Sequence, residues 1–431
     1  MGPDNLMRPV FDKADREFAA ELFESVRKIS TARLGVTRPS YSEVETAAMN
    51  VVAQAAGESG LTIRFDAAAN LVIEMPGTAA AKPAYWMGSH LDSVPEGGNY
   101  DGLAGVIAGL LCLAKAKRLG VALHRPLAVI GLRGEESAWF GKPYLGSYAL
   151  FGKLSQRDLE RKHRDTGRPL GEYMEKAGAD VGRIAAGEPL VEAQSIGGWL
   201  ELHIEQGPIM VAREAPVGVV TGIRGNLRHL TARCRGAAGH SGAVPRWLRK
   251  DAVFALAELL MRLDENWQAL NSRGVDLVVT SGIVGTDPRE HSISRIPGEV
   301  QFSLEIRSQS LETLEAFYQL VLVESAGIEK SRGVKFDFGE RVLSEPGLID
   351  REWAQRLRRV CTALHYPYID IPSGAGHDAA TFANAGVPAG MIFIRNDNGS
   401  HNPDEKMELD DFIMGTEVLY QAVTVETEAL R

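Results

Sequence analysis

The chain reads as an α/β protein, with a mixed, mostly parallel sheet interrupted by an α+β segment. Three observations point there. Apolar runs at Ala84 to Met87, Pro126 to Leu132, Leu200 to Ile204 and Met391 to Ile394 are each followed at once by polar residues. That is the pattern of buried strands whose C-terminal ends deliver side chains to a site. Helical periodicity recurs between these runs, as a parallel sheet covered on both faces requires. From about Val217 to Phe338 the pattern changes, and strands outnumber helices.

The elements follow in order. Phe18 to Ile29 and Glu43 to Ala56 carry apolar residues at helical spacing, and Gly35-Val36-Thr37-Arg38-Pro39-Ser40 is the turn between them. Leu61 to Phe65 and Leu71 to Glu74 are short strands, Ala79 to Ala81 is a loop, and Leu103 to Leu113 is an apolar helix. Val217 to Ile223, Leu227 to Arg235, Asp276 to Val284, Glu299 to Ile306 and Val334 to Phe338 read as strands. The helices Asp251 to Leu263 and Leu311 to Ala326 could cover one face of an antiparallel sheet built from them. Arg351 to His365 returns to the α/β pattern. The expected division is a main domain of 1–216 with 344–431, and an inserted domain of 217–343.

Composition narrows the function classes. The 431 residues are 45% hydrophobic and 24% charged, which is ordinary globular composition. A formal net charge of −9 argues against a nucleic-acid partner. No apolar run approaches the ~20 residues of a membrane span, and Met1 to Phe11 has no apolar signal segment. Cys112, Cys234 and Cys361 are scattered and odd in number, which suits a reducing, cytoplasmic setting better than a disulfide framework.

Four clusters carry chemistry. Gly88-Ser89-His90-Leu91-Asp92-Ser93-Val94-Pro95-Glu96-Gly97-Gly98-Asn99-Tyr100-Asp101-Gly102 sits where a strand hands over to a helix, the usual ligand position in open α/β sheets. His90 and Asp101 could bind one metal, and Asp92 could orient the imidazole. Gly134-Glu135-Glu136-Ser137 follows the next strand. Adjacent acids there can divide metal binding from general-base work, or simply occupy a helix N-terminus. In Glu201-Leu202-His203-Ile204-Glu205-Gln206-Gly207, His203 shares a strand face with the acids. His401 lies in the loop Asn398-Gly399-Ser400-His401-Asn402-Pro403. Imidazole with carboxylate suits zinc, manganese or cobalt. A two-metal site needs a bridging carboxylate, and Asp101 is the natural bridge.

These motifs resemble the M20-type metal-dependent amidohydrolases, and within them the hydantoinase/carbamoylase group. The matching pieces are GSHLDSVPEGGNYDG at 88–102, EE at 135–136 with LGS at 145–147, ELHIEQGP at 201–208, GHSGAVP at 239–245, SGAGHDA at 373–379 and NGSHNPDE at 398–405. The resemblance implies a dinuclear metallohydrolase domain with an inserted lid and dimerisation domain, hence a homodimer. It implies two divalent ions (Zn²⁺, Mn²⁺ or Co²⁺) held by His90, Asp101, Glu136, His203 and His401. Glu135 would be the general base, Asp92 the support of His90, and Gln206 a contact to the ureido or amide group. His240 would reach a partner subunit's site and stabilise the oxyanion. Arg307 would grip the substrate carboxylate. His377 and Gly376 would line its polar end.

The chain departs from the group at His291 and Ser294, ahead of Ile296-Pro297-Gly298, where the group shows an Asn-x-x-Asn pattern whose first asparagine touches substrate. His291 would take that place with different donors and a different shape. Trp139-Phe140-Gly141-Lys142-Pro143 also replaces small residues after the glutamate pair. The expected activity is hydrolysis of a linear C–N bond in an N-carbamoyl-L-amino acid or related ureido acid, giving amino acid, CO2 and ammonia. An N-acyl amino acid amidase or dipeptidase-like hydrolase is the alternative on the same scaffold. A non-catalytic binding protein is the remote one.

Overall fold

The long apolar runs become the middle of one sheet. Strands β1 Thr62–Phe65, β2 Leu71–Glu74, β3 Ala84–His90, β4 Leu127–Leu132, β5 Ile196–Ile204, β6 Val217–Ile223, β7 Tyr368–Ser373 and β8 Ala389–Ile394 lie in the order β1-β2-β4-β3-β5-β8-β6-β7. The central strands β4, β3, β5 and β8 run parallel, while β2 and β6 join them antiparallel. Every residue of β4 and β8 is buried, so these strands read as continuous apolar runs rather than as alternation. The computed structural model describes residues 7–75 and 82–425. The Ala79–Ala81 loop and the first six residues of the expected N-terminal segment lie outside the described residues.

The chain divides into two units, Met1–Thr221 with Leu348–Arg431, and Gly222–Gly347. In the first, the helix Leu103–Arg118 is apolar almost all round because it is covered on all sides. Its Val106, Leu110 and Leu113 share a core with Phe23, Leu202, Phe412 and Leu419. The division falls a few residues later than expected. Val217–Ile223, assigned from sequence to the inserted domain, pairs instead with β8 through Val217 to Ile394 and Val219 to Ile392. Its buried valines complete the large core, and only then does the chain leave that sheet.

The second unit is the expected α+β layer. Gly225–Arg235 and Glu299–Ser308 pair antiparallel. The helices Ala252–Asn271 and Leu311–Arg332 bury Leu256, Leu259, Phe317 and Val321 against Phe302, Leu304 and Ile306. Trp139 and Phe140, the departure after the glutamate pair, are core residues of the first unit. Trp139 stacks on His163 with ring centroids 5.5 Å apart and donates its indole N–H to Ser93 O at 2.8 Å.

The parallel strands bring their C-terminal ends to one edge. His90 ends β3 beside Leu132 at the end of β4, and His203 lies beside Phe393 near the end of β8. The turn after β4, which carries the glutamate pair, is held by a buried ion pair. Arg133 reaches Glu45 at 2.7 Å, with side-chain exposures of 1% and 0%. Glu45 also accepts the N–H groups of Tyr41 and Gly134 at 2.7 and 3.1 Å. Burial pushes Glu45 up to about 7, against the opposing pull of Arg133.

Removing the cation alone leaves an uncompensated buried carboxylate. Arg133→Met is therefore expected to cost about 3–5 kcal/mol in denaturant unfolding, and adding Glu45→Gln should recover part of it. Glu45 then holds its proton in the folded state at pH values where the unfolded chain releases it. The Arg133→Met penalty should accordingly be larger at pH 8 than at pH 5. A penalty that does not change with pH would contradict this.

Candidate metal centre

Glycine makes the first turn of the site. Gly102 has φ +68°, and a Cβ there would lie 2.5 Å from the His90 ring. Only glycine lets the chain turn from Asp101 into the helix Leu103–Arg118 while passing against the imidazole. Its N–H points at His203 Nε2 at 3.2 Å.

Two groups of side chains share Asp101. Asp101 Oδ1 lies 3.4 Å from His90 Nε2 and 3.2 Å from His203 Nε2. Asp101 Oδ2 lies 3.4 Å from His401 Nε2, which is 3.3 Å from Glu136 Oε1. His90, Asp101 and His203 form one cluster whose geometry could hold a metal, and Asp101, Glu136 and His401 form another. The rings are aimed from behind. His90 Nδ1 faces Asp92 O at 3.1 Å and Asp92 Oδ1 at 3.3 Å. His203 Nδ1 faces Ile204 O at 2.9 Å. Both Nδ1 atoms meet acceptors and so carry hydrogen, which leaves Nε2 directed at Asp101.

A metal fits this donor set. Asp101 Oδ1 is fully buried and has no hydrogen-bond partner among the described residues, a costly state for a carboxylate oxygen that a cation between it and the two Nε2 atoms would relieve. The electrostatics agree. Burial disfavours charge on His90 and His203, yet the neighbouring carboxylates, Asp101 foremost, hold both above the ordinary histidine value. Burial likewise opposes ionised Asp101, but the three histidines hold it well below the carboxylate range. His401, drawn by Asp101 and then Glu136, is raised to about 11. Protons and cations thus compete for the same nitrogens.

Asp92 organises the glutamate pair. Its oxygens accept the N–H groups of Glu135 and Glu136 at 3.0 and 3.1 Å and the Ser40 hydroxyl at 2.6 Å. The pair lies in irregular chain, so the helix-terminus reading of these acids does not hold. Glu135 Oε2 is 3.9 Å from His90 Nε2. Burial first, then the charge of Glu136, pushes the Glu135 carboxyl well above its usual range.

The remaining candidates separate by unit. Gln206 donates its amide N–H to Asp101 Oδ2 at 2.8 Å, and its buried Oε1 has no partner among the described residues. His377 is buried edge-on to His203 at 4.5 Å and bonds Ser373 Oγ at 2.9 Å. Burial and the neighbouring His203 keep it well below the ordinary value, hence neutral. Gly376 gives room to the Tyr144 hydroxyl, which a Cβ would meet at 1.7 Å. His240, His291 and Arg307 belong to the second unit. His240 is exposed and accepts Gly242 N–H at 3.2 Å. His291 Nε2 is 2.7 Å from Thr286 Oγ1, and Arg307 is held by Glu305 at 3.0 Å.

Several supports were not singled out from sequence. Arg38 is fully buried and has no ion-pair contact among the described residues; it donates to Leu91 O at 2.7 Å and Asn99 Oδ1 at 3.1 Å. It splints the loop from His90 to Asp101 and places a positive charge beneath the acids. Burial lowers it to about 10 and the surrounding carboxylates oppose that shift. Glu405 and Ser400 lie inside the quoted NGSHNPDE motif, but no spacing rule ties them to Asp101.

The chain is 35% identical over 396 residues to an N-carbamoyl-L-amino acid amidohydrolase of Geobacillus stearothermophilus, covering 90% of this chain and 93% of the relative. It is 31% identical to the allantoate amidohydrolase of Escherichia coli K12, covering 89% and 91%. A crystal structure of a hydantoinase/carbamoylase family amidase from Burkholderia multivorans superposes with a TM-score of 0.85 at 27% identity, covering 95% and 97%. Residues 86–425 match Peptidase family M20/M25/M40, and the chain belongs to that family.

Proposed function

We propose that this amidohydrolase uses two divalent ions to cleave the C–N bond of an N-carbamoyl-L-amino acid or a closely related ureido acid. The observation that carries the reading is the buried, partnerless Asp101 Oδ1 between His90 and His203, with a second set of ligand atoms on the other oxygen. His90 and His203 would hold one ion, Glu136 and His401 the other, and Asp101 would bridge. Bound there, Zn²⁺, Mn²⁺ or Co²⁺ would acidify water and polarise the substrate carbonyl.

The chain's own residues do the rest. Glu135 takes the proton of the attacking water and passes it to the leaving nitrogen, a task suited to a buried carboxyl held 3.9 Å from His90 Nε2. Asp92 holds the backbone of Glu135 and the ring of His90 together. Gln206 offers its partnerless Oε1 to a ureido N–H. Arg307 receives the substrate carboxylate, and His240 from a second copy of the chain stabilises the oxyanion. The products are amino acid, CO2 and ammonia. Two relatives named for ureido substrates support this substrate class. His291 and Ser294 favour the second reading, an N-acyl amino acid amidase, which releases no ammonia. The buried free thiols of Cys112, Cys234 and Cys361 support a cytoplasmic setting.

A homodimer is part of the proposal. Trp247, Leu248, Phe254 and Met261 are 81%, 56%, 61% and 60% exposed on the second unit. Phe254 and Met261, seven residues apart, share one helix face. Large apolar side chains this exposed suit an interaction surface.

Exhaustive chelation should abolish turnover, and Mn²⁺, Co²⁺ or Zn²⁺ should restore it. Full activity in protein free of metal by elemental analysis would end the proposal. Glu135→Gln should keep both ions while kcat falls by about 10²–10⁴-fold, whereas Glu136→Gln should lose metal. Equal metal loss in both variants would reverse these roles. Light scattering should find a dimer, and Phe254→Asp with Met261→Asp should give a monomer whose kcat falls as far as that of His240→Ala. A fully active wild-type monomer would exclude action across subunits.

A further inference from the structure

The two oxygens of Asp101 are treated differently by their surroundings. Oδ1 has no hydrogen-bond partner. Oδ2 receives the Gln206 amide at 2.8 Å and faces the Ser400 hydroxyl at 2.6 Å. The same Ser400 Oγ lies 2.6 Å from Glu405 Oε2. A hydroxyl carries one hydrogen, so Ser400 can donate to only one of these two carboxylates at a time.

Glu405 is itself an unusual group. It is 8% exposed and has no ion-pair partner among the described residues. Its other oxygen, Oε1, accepts the backbone N–H groups of Tyr100 at 2.8 Å and Asp101 at 3.3 Å. Gly98 clears the space for it, since a Cβ there would fall 2.1 Å from Glu405 Cδ. A second buried carboxylate beside Asp101 repels it in a dry site, a cost offset by the Tyr100 and Asp101 amides and by the charge of Arg38. Beyond those contacts it offers a second acceptor for the Ser400 hydrogen.

We infer that Ser400 and Glu405 form a hydrogen-bond toggle that frees Asp101 Oδ2 for the ion on the Glu136–His401 side. With no cation on Oδ2, Ser400 donates to Asp101. When a cation takes Oδ2, Ser400 turns its hydrogen to Glu405, an acceptor already fixed to the Asp101 backbone. Both are positioning residues and neither touches substrate. The inference rests on the dinuclear reading above and deepens it.

A glutamine at 405 keeps the shape and still accepts the Tyr100 and Asp101 N–H groups. Its amide, however, donates to Ser400 Oγ, which forces the hydroxyl hydrogen onto Asp101 Oδ2, where it competes with the cation. Removing the hydroxyl as well removes the competition.

The test is Mn²⁺ binding, followed by the electron paramagnetic resonance signal of the free ion and by elemental analysis, in the full chain and in Glu405→Gln, Ser400→Ala and the double variant. Wild-type protein should bind two ions. Glu405→Gln should weaken the second by about 10–100-fold, the range for residues that orient metal ligands, and leave the first unchanged. Ser400→Ala should bind the second at least as well as wild type, and the double variant should recover most of the loss. Wild-type affinity in Glu405→Gln would overturn the toggle. So would a double variant no better than Glu405→Gln, or a loss in Ser400→Ala as large as that in Glu405→Gln. Wild-type protein binding fewer than two ions would overturn the dinuclear reading itself, and the toggle with it.

Discussion

Like charge held out of water is the constraint around which this fold is arranged. Asp92, Asp101, Glu135, Glu136, Glu201 and Asp378 are all buried at or near the edge where the parallel strands end. Ionised carboxylates repel one another at low dielectric, and each loses its hydration. The protein answers with partners of three kinds. His90, His203 and His401 surround Asp101. Arg38 lies beneath the cluster with its charge intact. Backbone N–H groups meet Asp92, Glu45 and Glu405. Among the described residues they leave Asp101 Oδ1 without a hydrogen bond, and the cations proposed for this site would complete the balance.

Backbone donors explain how so acidic a site keeps its shape. Asp92 binds the amides of both glutamates, and Glu45 binds that of Gly134 just before them. Two carboxylates thus fix the chain that presents Glu135 and Glu136 in different directions, one beside His90 and the other beside His401. The division of labour proposed for these adjacent residues rests on backbone geometry, because their side chains are chemically identical. Asp378 is met by a side chain instead. Burial, then the charge of Glu201, raises it to about 7, while Ser147 donates to it at 2.6 Å.

Much of this was legible in the sequence, and for a physical reason. Strands buried on both faces are mostly apolar, so β3, β4, β5 and β8 announced themselves, and the polar residues at or just beyond their ends make the candidate site. The predominance of strands over helices from about Val217 to Phe338 marked the inserted layer off from the main domain. The exact boundary was not legible, because β6 has the composition of either sheet and only pairing with β8 assigns it. The partition of ligands into two sets around Asp101 also waited for coordinates, since spacing along the chain does not say which oxygen faces which ring. Gln206 bonding to Asp101, the buried Arg38 and the Ser400–Glu405 pair are long-range contacts between loops. No local pattern encodes them.

The most direct measurement of the central claim is a crystal structure of metal-loaded protein with anomalous scattering collected at the zinc edge. The account predicts two peaks about 3.5–4 Å apart. One should be bound by His90 Nε2, His203 Nε2 and Asp101, the other by Asp101, Glu136 and His401, with Glu135 bound to neither. A single peak, or a peak coordinated by Glu135, would contradict it.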